Sequence, residues 1–403
     1  MGSGGGRSWR CGLPIRCERG HAVSSARLSP TVARIRPAAI EDNVRRLAER
    51  AGAAALCAVV KADGYGHGAA ASARAALAGG ASWLAVATVS EALEIAEVAR
   101  ETGCNTPVLM LSEVAPQLAA EAAAQCPERV RFTVASVAGV RALASAAGAE
   151  RAVHLKVDTG MHRMGAVPEE LEAVVGALRE AGSDLRLEGV WTHLAVADAP
   201  DDPFTSQQLR RFDQALARVR GSGLPAGVVH AANSAGLLAH PDACRDLVRA
   251  GIAVYGVPPS PELDGSVPLE PAMELVSRVT AVRTVPPGES VSYGRHWWAT
   301  EPTLVATVAI GYADGIQRNS GPAGVEVLVR GRRCPIVGVV TMDQLMVAVD
   351  PAISDQVTQG DEVVLIGRQG AEEITATEIA QRLDTIAYEV LTSVSARVPR
   401  VVI

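Results

Sequence analysis

The chain has 403 residues, 48% of them apolar, and a net charge of −6. That length calls for two domains, or one large α/β domain with a second attached, and the acidic balance argues against a nucleic-acid partner, whose surface would declare itself as a basic patch. No apolar run reaches the roughly 18–20 residues of a membrane span, and 7 cysteines scattered without C-x-x-C or zinc spacing point to a reducing, cytoplasmic setting and to no metal.

Residues 1–30 carry Gly-rich sequence and five arginines against Glu18 alone, with no apolar core of a secretory signal, so a disordered N-terminal extension is expected there. From about residue 31 the chain alternates apolar runs with Ala/Leu/Arg/Glu stretches. The strands expected are Leu56–Lys61, Trp83–Thr88, Val108–Leu111, Val130–Val134, Val153–Val157, Leu187–His193, Val228–Ala231 and Ile252–Val254. Amphipathic helices such as Ile40–Ala51, Glu91–Glu101, Glu169–Ala181 and Thr205–Gly221 lie between them. Eight such alternations predict an α/β fold, a (β/α)8 TIM-type barrel over residues 31–269. An open doubly wound sheet is the alternative, weakened by the lack of a G-x-G-x-x-G turn after the first strand. Beyond Pro258 and Pro261, Val/Ile/Thr-rich runs recur at Met273–Val285, Thr303–Ile310, Val325–Val329, Pro335–Val340, Leu345–Val349 and Glu362–Ile366, with one helix, Ala376–Leu383. Residues 270–403 therefore read as a mainly β C-terminal domain.

Only two of the 38 basic residues are lysine, Lys61 and Lys156. Arginine supplies charge but is too basic to serve as an amine nucleophile or base, so the two survivors mark places where an amine is needed, unless an Arg-rich composition spared them by chance. Lys61 ends the first expected strand, Lys156 and Arg163 the fifth, and His193 the sixth; Asn233 and Ser234 follow the seventh, and Arg249, Gly251 and Ile252 surround the last. Barrel active sites form at those carboxyl ends, with phosphate bound by the last two loops. There Ser234 and the Gly251–Ile252 backbone offer donors. A buried lysine whose pKa is lowered by desolvation and nearby cations suits Schiff-base chemistry, and a phosphate site beside it points to pyridoxal phosphate.

The same segments resemble alanine racemase, a fold-type III pyridoxal-phosphate family, over nearly all of residues 31–403. The resemblance rests on Val-Val-Lys61-Ala-Asp-Gly-Tyr65-Gly-His-Gly, Lys156-Val-Asp-Thr-Gly-Met-His-Arg163-Met-Gly, Thr-His193-Leu, His230-Ala-Ala-Asn233-Ser234-Ala and Arg249-Ala-Gly251-Ile252-Ala-Val-Tyr-Gly. The second domain adds Val-Ser-Tyr293-Gly, Ile-Gly-Tyr312-Ala-Asp-Gly, Thr-Met342-Asp343-Gln and Ala-Tyr388-Glu-Val. It implies that Lys61 forms the Schiff base and acts on the D-face of the substrate Cα, and that Tyr293 is the base on the L-face. In the family that tyrosine comes from the second subunit, so the resemblance implies a homodimer with shared active sites. Two groups flanking a planar carbanion are what racemisation needs. A phenol, with its ordinary pKa of about 10, then needs cationic surroundings to act as a base, and Arg163 is a candidate source.

Arg249 resembles the arginine facing the pyridine nitrogen. Since arginine does not give up its proton, the ring nitrogen stays unprotonated, which weakens the electron sink and favours racemisation over transamination. Tyr65, Ser234, Gly251, Ile252 and Tyr388 resemble the phosphate-binding set, and His193 and Asn233 the support of the ring. Arg163 resembles the residue binding the cofactor phenolic oxygen and the substrate carboxylate, with Met342 and Asp343 near the substrate. In many family members the lysine matching Lys156 is carbamylated, an anion that holds the arginine. Asp198, Tyr312 and Arg318 resemble an entrance layer.

Two positions depart from the family's Gly-Arg-x-Cys-Met-Asp-Gln, with Val339 for the arginine and Thr341 for the cysteine. The expected substrate is alanine, supplying D-alanine for peptidoglycan, with a broader small amino-acid set such as serine left open. Bland readings compete at single residues: a turn tyrosine packed on the β domain for Tyr293, a core histidine for His193, a surface Lys156–Asp158 ion pair, and a surface-loop arginine for Arg249. A fold-type III decarboxylase needs a catalytic-loop cysteine that is not found. A non-catalytic pyridoxal-phosphate carrier is a barrel alone, and a metal-dependent barrel hydrolase needs clustered histidines.

Overall fold

The computed structural model describes residues 28–403 except 104 and 147. The expectation for residues 1–30 lies, over 1–27, outside the described residues. The first strand, β1 (Val32–Ile35), leads into the helix Pro37–Ala51. That helix starts with proline at its first turn, where no N–H is required, and buries Ile40, Val44, Leu47 and Ala51 on one face.

Eight parallel strands follow: β2 (Ala55–Val59), β3 (Trp83–Val86), β4 (Val108–Glu113), β5 (Val130–Val134), β6 (Arg151–Lys156), β7 (Leu185–Trp191), β8 (Val228–His230) and β9 (Leu247–Ala250). From β2 to β8 each bonds to the next in sequence, and β9 pairs with β2, giving the expected barrel. Most of these strands are apolar runs buried on both faces, as a parallel sheet covered by helices requires. The β8–β9 seam carries no ladder. Asp246 joins it: its N–H donates to Val229 O at 2.9 Å and its Oδ2 accepts the Val229 N–H at 2.8 Å.

Three expectations need correction. The last barrel strand is Leu247–Ala250; Ile252–Tyr255, expected as the strand, is a 3₁₀ turn beyond it. A charged residue within the run, Arg249, made the true strand look unlike a core element, although it is buried there. Residues 32–35, expected in the barrel domain, pair antiparallel with β10 (Met273–Val285) and parallel with Arg400–Val402 of the C-terminal sheet. The run expected at Pro335–Val340 is not a strand: the strand is Arg332–Pro335, and beyond it Ile336 keeps only an isolated bridge to Val347.

The second region is mainly β, as expected. The 13-residue β10 is its hub, bonded to β1, to Thr303–Val308 and to Glu362–Gln369. The helix Ala376–Arg382 appears where expected, and an unexpected one, Ala387–Ser393, follows it and carries Tyr388 toward the barrel. No helix among the described residues is long and apolar enough to cross a membrane.

Candidate active site

A cavity of about 630 Å³ opens at the carboxyl ends of the barrel strands. Lys61 follows β2, and the chain after it winds left-handed: Ala62, Asp63, Gly64 and Tyr65 have φ of 53°, 53°, 61° and 52°. Left-handed turns cost L-residues about 1–2 kcal/mol each, so neighbours must hold this one. Glu91 accepts the Ala62 N–H at 2.7 Å while also closing the capping box of the helix Val89–Glu101. Asp63 accepts the Ala69 N–H at 2.8 Å, and Arg400 donates to Gly66 O at 2.9 Å. Burial lowers the Lys61 pKa, Arg163 lowers it further, and Glu91 resists.

Lys156 ends β6 and is 3% exposed, its Nζ 4.7 Å from the Trp191 ring centre. Burial, then Arg163 and Arg249, bring its pKa down to about 8. The surface-pair reading fails, because Asp158 is itself buried and uses Oδ1 to accept the Gly160 and His162 N–H groups. Those bonds, with the Asp158–Ala166 backbone pairing, close the loop that presents Arg163 to the cavity.

Arg249 enters from β9, 2% exposed rather than on a surface loop. Its Nη2 donates to Thr192 O at 2.8 Å and to Ala231 O at 3.0 Å, and its Nη1 to His230 Nδ1 at 2.9 Å. The guanidinium lies over Trp191 at 4.6 Å, and burial lowers its pKa to about 10. His193 sits 3.4 Å from the same Nη2, and burial together with the surrounding cations drives its pKa well down.

The same cavity holds a cup of hydroxyl and backbone groups. Ser234 Oγ accepts the Gly251 N–H at 2.8 Å, and the Tyr65 and Tyr388 rings are 6.1 Å apart. Gly251 is required there, since a Cβ would come within 2.5 Å of Tyr65 Oη. Asn233 caps the helix Ser234–Ala239 through its side chain, and Ile252 completes the wall.

The remaining expected residues form a separate cluster on the β domain. Tyr293 is 72% exposed, which overturns its packing against the domain. Its turn is built to hold it there: Ser292 has φ 69° and bonds Val339 O at 2.6 Å, and Gly338 has no Cβ where one would meet Ser292 Cβ at 2.7 Å. The next residues stitch Tyr312 and Met342 together, with Tyr312 N–H on Thr341 O at 2.9 Å and Val340 N–H on Arg318 O at 3.1 Å. Asp343 pairs with Arg397 at 2.8 Å. Tyr312 and Met342 are exposed, as are Arg318 and Asp343. Val339 is buried within its own domain. None of these, nor the exposed Asp198, lines the barrel cavity of the same chain.

Sequence reasoning missed Glu91, Trp191, His154 and His230. Both histidines were visible as polar residues inside otherwise apolar strands, the one available signal. No cluster of metal-ligating side chains occurs among the described residues.

A parallel-stranded α/β barrel with a lysine and a cavity at its carboxyl rim, followed by a mainly β domain, defines the class: a barrel enzyme with an appended β domain. Residues 35–259 match the alanine racemase N-terminal domain and residues 272–402 the alanine racemase C-terminal domain. The alanine racemase of Symbiobacterium thermophilum is 45% identical over 376 residues, covering 93% of this chain and 97% of that one. Among solved structures, alanine racemase from Streptomyces coelicolor A3(2) superposes with a TM-score of 0.86 at 40% identity, covering 94% of this chain and 99% of that one. The Bacillus anthracis alanine racemase with bound L-Ala-P gives 0.84 at 37% identity, covering 93% and 95%. The chain belongs to the alanine racemase family and is an enzyme of the isomerase class.

Proposed function

We propose that this chain interconverts L- and D-alanine with pyridoxal 5'-phosphate, as a homodimer in which each active site takes Tyr293 from the other copy. The donor set of the cavity fits that cofactor. Ser234, the Gly251 and Ile252 amides, Tyr65 and Tyr388 match a phosphate ester, and Arg249 offers N–H donors to a ring nitrogen. The bound cofactor supplies an electron sink that acidifies the substrate Cα–H. Arg163 orients the substrate carboxylate, with His193 and Asn233 steadying the ring's surroundings. Lys61 Nζ, its pKa lowered by burial and Arg163, takes or returns the Cα proton on one face.

The observation that carries the reading is the separation of the two clusters. The amine base lies in a finished cavity, whereas Tyr293 is held outward by a strained turn, with nothing in its own chain to act on. A second copy brings its phenol, with Met342 and Asp343, to the opposite face of Cα, and Asp198, Tyr312 and Arg318 then border the way in. Lys156, with its pKa near 8, has neutral amine available to attack CO2. An N–C bond forms, one proton is released, and the carbamate anion anchors Arg163. The product serves as D-alanine for cell-wall peptidoglycan, made in the cytoplasm.

Subunit mixing tests this. Lys61→Ala and Tyr293→Phe dimers are each expected to be nearly inactive. Unfolded, mixed and refolded together, they regain about a quarter of wild-type sites, because half the dimers are mixed and one of two sites in each is intact. No recovery on mixing means that both groups act within one chain, and the shared-site reading falls.

A further inference from the structure

Beneath Arg249 the barrel interior holds a line of polar side chains with no assigned task. His230 Nε2 lies 2.8 Å from His154 Nδ1, and His154 Nε2, which has no hydrogen-bond partner, faces Glu188 Oε2 at 3.5 Å in a charge contact longer than a hydrogen bond. Glu188 also accepts from Arg131 Nε. Both imidazoles are 0% exposed. Barrel interiors are ordinarily filled with branched apolar residues, and burying polar groups costs free energy unless they are bonded.

The proton positions follow from the ends of the line. Arginine has donors and no acceptor, so His230 Nδ1 must accept, and the ring proton of a neutral His230 sits on Nε2. That proton points at His154 Nδ1, which must therefore also accept, leaving the His154 proton on Nε2 toward the Glu188 carboxylate. A second proton on either ring would set two donors against each other. Burial likewise lowers the pKa of both histidines, while burial of Glu188 is outweighed by the His154 and Arg131 contacts, which hold it at about 2.

The walls are shaped for these rings. Trp191 stacks on His230 at 5.6 Å and 6° and also carries the Arg249 guanidinium; Trp83 meets His154 edge-on at 5.4 Å. Gly189 is glycine for the same reason, since a Cβ there would come within 2.5 Å of His154 Nδ1. Arg249 itself forms no ion pair among the described residues, and its bonds leave Nε–H without a protein partner at the cavity.

We propose that His230, His154 and Glu188 form a one-way donor line that locks Arg249 in place and in its protonated state, making them positioning residues for the cofactor's ring nitrogen. This rests on the reading of Arg249 as the residue facing that nitrogen. The Glu188 carboxylate ends the line in ion pairs with Arg131 and Arg186, two imidazoles away from Arg249, where it cannot take the arginine's place as partner. The line also points away from the cavity, so no proton can be relayed to the ring nitrogen without both imidazoles changing tautomer.

Two measurements on the holoenzyme test it. Nitrogen-15 NMR of histidine-labelled wild-type protein should show His154 and His230 both neutral and both protonated on Nε2; a proton on either Nδ1, or a charged ring, overturns the proposal. In His154→Phe, which keeps ring volume beside Trp83 and Gly189, kcat should fall about tenfold, the loss expected when a buried charged donor is left poorly held. KM for alanine should be unchanged, and the ratio of pyruvate released to alanine racemised should rise. An unchanged ratio with unchanged kcat overturns the positioning role. If that variant does not fold, Glu188→Gln is read in the same way, and the wild-type NMR stands regardless. A colourless wild-type protein with the expected tautomers instead points to failure of the cofactor reading, not of the line.

Discussion

Lys61 follows a barrel strand and leads into a left-handed turn that Glu91 and Asp63 hold, whereas Tyr293 sits between positive-φ neighbours, of which Ser292 is held by Val339. Each turn stores strain of the kind that persists only where surrounding structure over-determines it. They differ in what surrounds the reactive atom. The amine is depressed in pKa by burial and then by Arg163; the phenol is mostly open to solvent. One half of the chemistry is finished when the chain folds, and the other half is only displayed.

The sharpest way to break that contrast is Tyr293→Phe. Removing a general acid–base group costs about 10²–10⁴-fold in turnover. Because the side chain touches nothing in its own cavity, melting temperature and cofactor absorbance should match wild type. A large loss of stability, or of bound cofactor, would mean that Tyr293 supports its own chain. Gly251→Ala is the mirror experiment. A methyl group 2.5 Å from Tyr65 Oη must displace the cup, and overpacking of about 1–3 kcal/mol predicts cofactor binding weaker by about 10–100-fold in a titration, while mixing with Tyr293→Phe chains still shows a competent Tyr293.

How much of this could be read in the sequence follows the same division. Residues at strand ends were legible because a parallel barrel puts its chemistry at one rim, and Lys61, Lys156, Arg163, Asn233, Ser234 and Arg249 do meet there. The β9 boundary was misplaced because a buried arginine interrupts the apolar pattern that marks a strand. Pairing of β1 with β10 joins residues far apart in the chain, which no local pattern encodes. Val339, which departs from the family's arginine, has its side chain buried and uses its carbonyl to hold Ser292, a role no sequence pattern marks. Glu91, which holds the Ala62 N–H, was hidden as an ordinary helix-capping acid.

Lys156 offers the finest test of the enclosed half. Its folded pKa, about 8, lies below the ordinary lysine value of 10.5 because burial and Arg163 oppose the charge. Between those values the unfolded chain holds a proton that the folded chain has released, so folding stability rises with pH across that window. Below about pH 8 the full penalty of the buried ammonium is present; above about 10.5 it is gone. Lys156→Met never carries that penalty. In CO2-free buffer the variant should therefore be more stable than wild type near neutrality, and the gap between their unfolding free energies should narrow as pH climbs through the window. Added bicarbonate should flatten the wild-type curve, since a carbamate replaces the titrating amine with an anion beside Arg163. A gap that stays constant in CO2-free buffer would show that the Lys156 amine is not held in a desolvated, cationic setting.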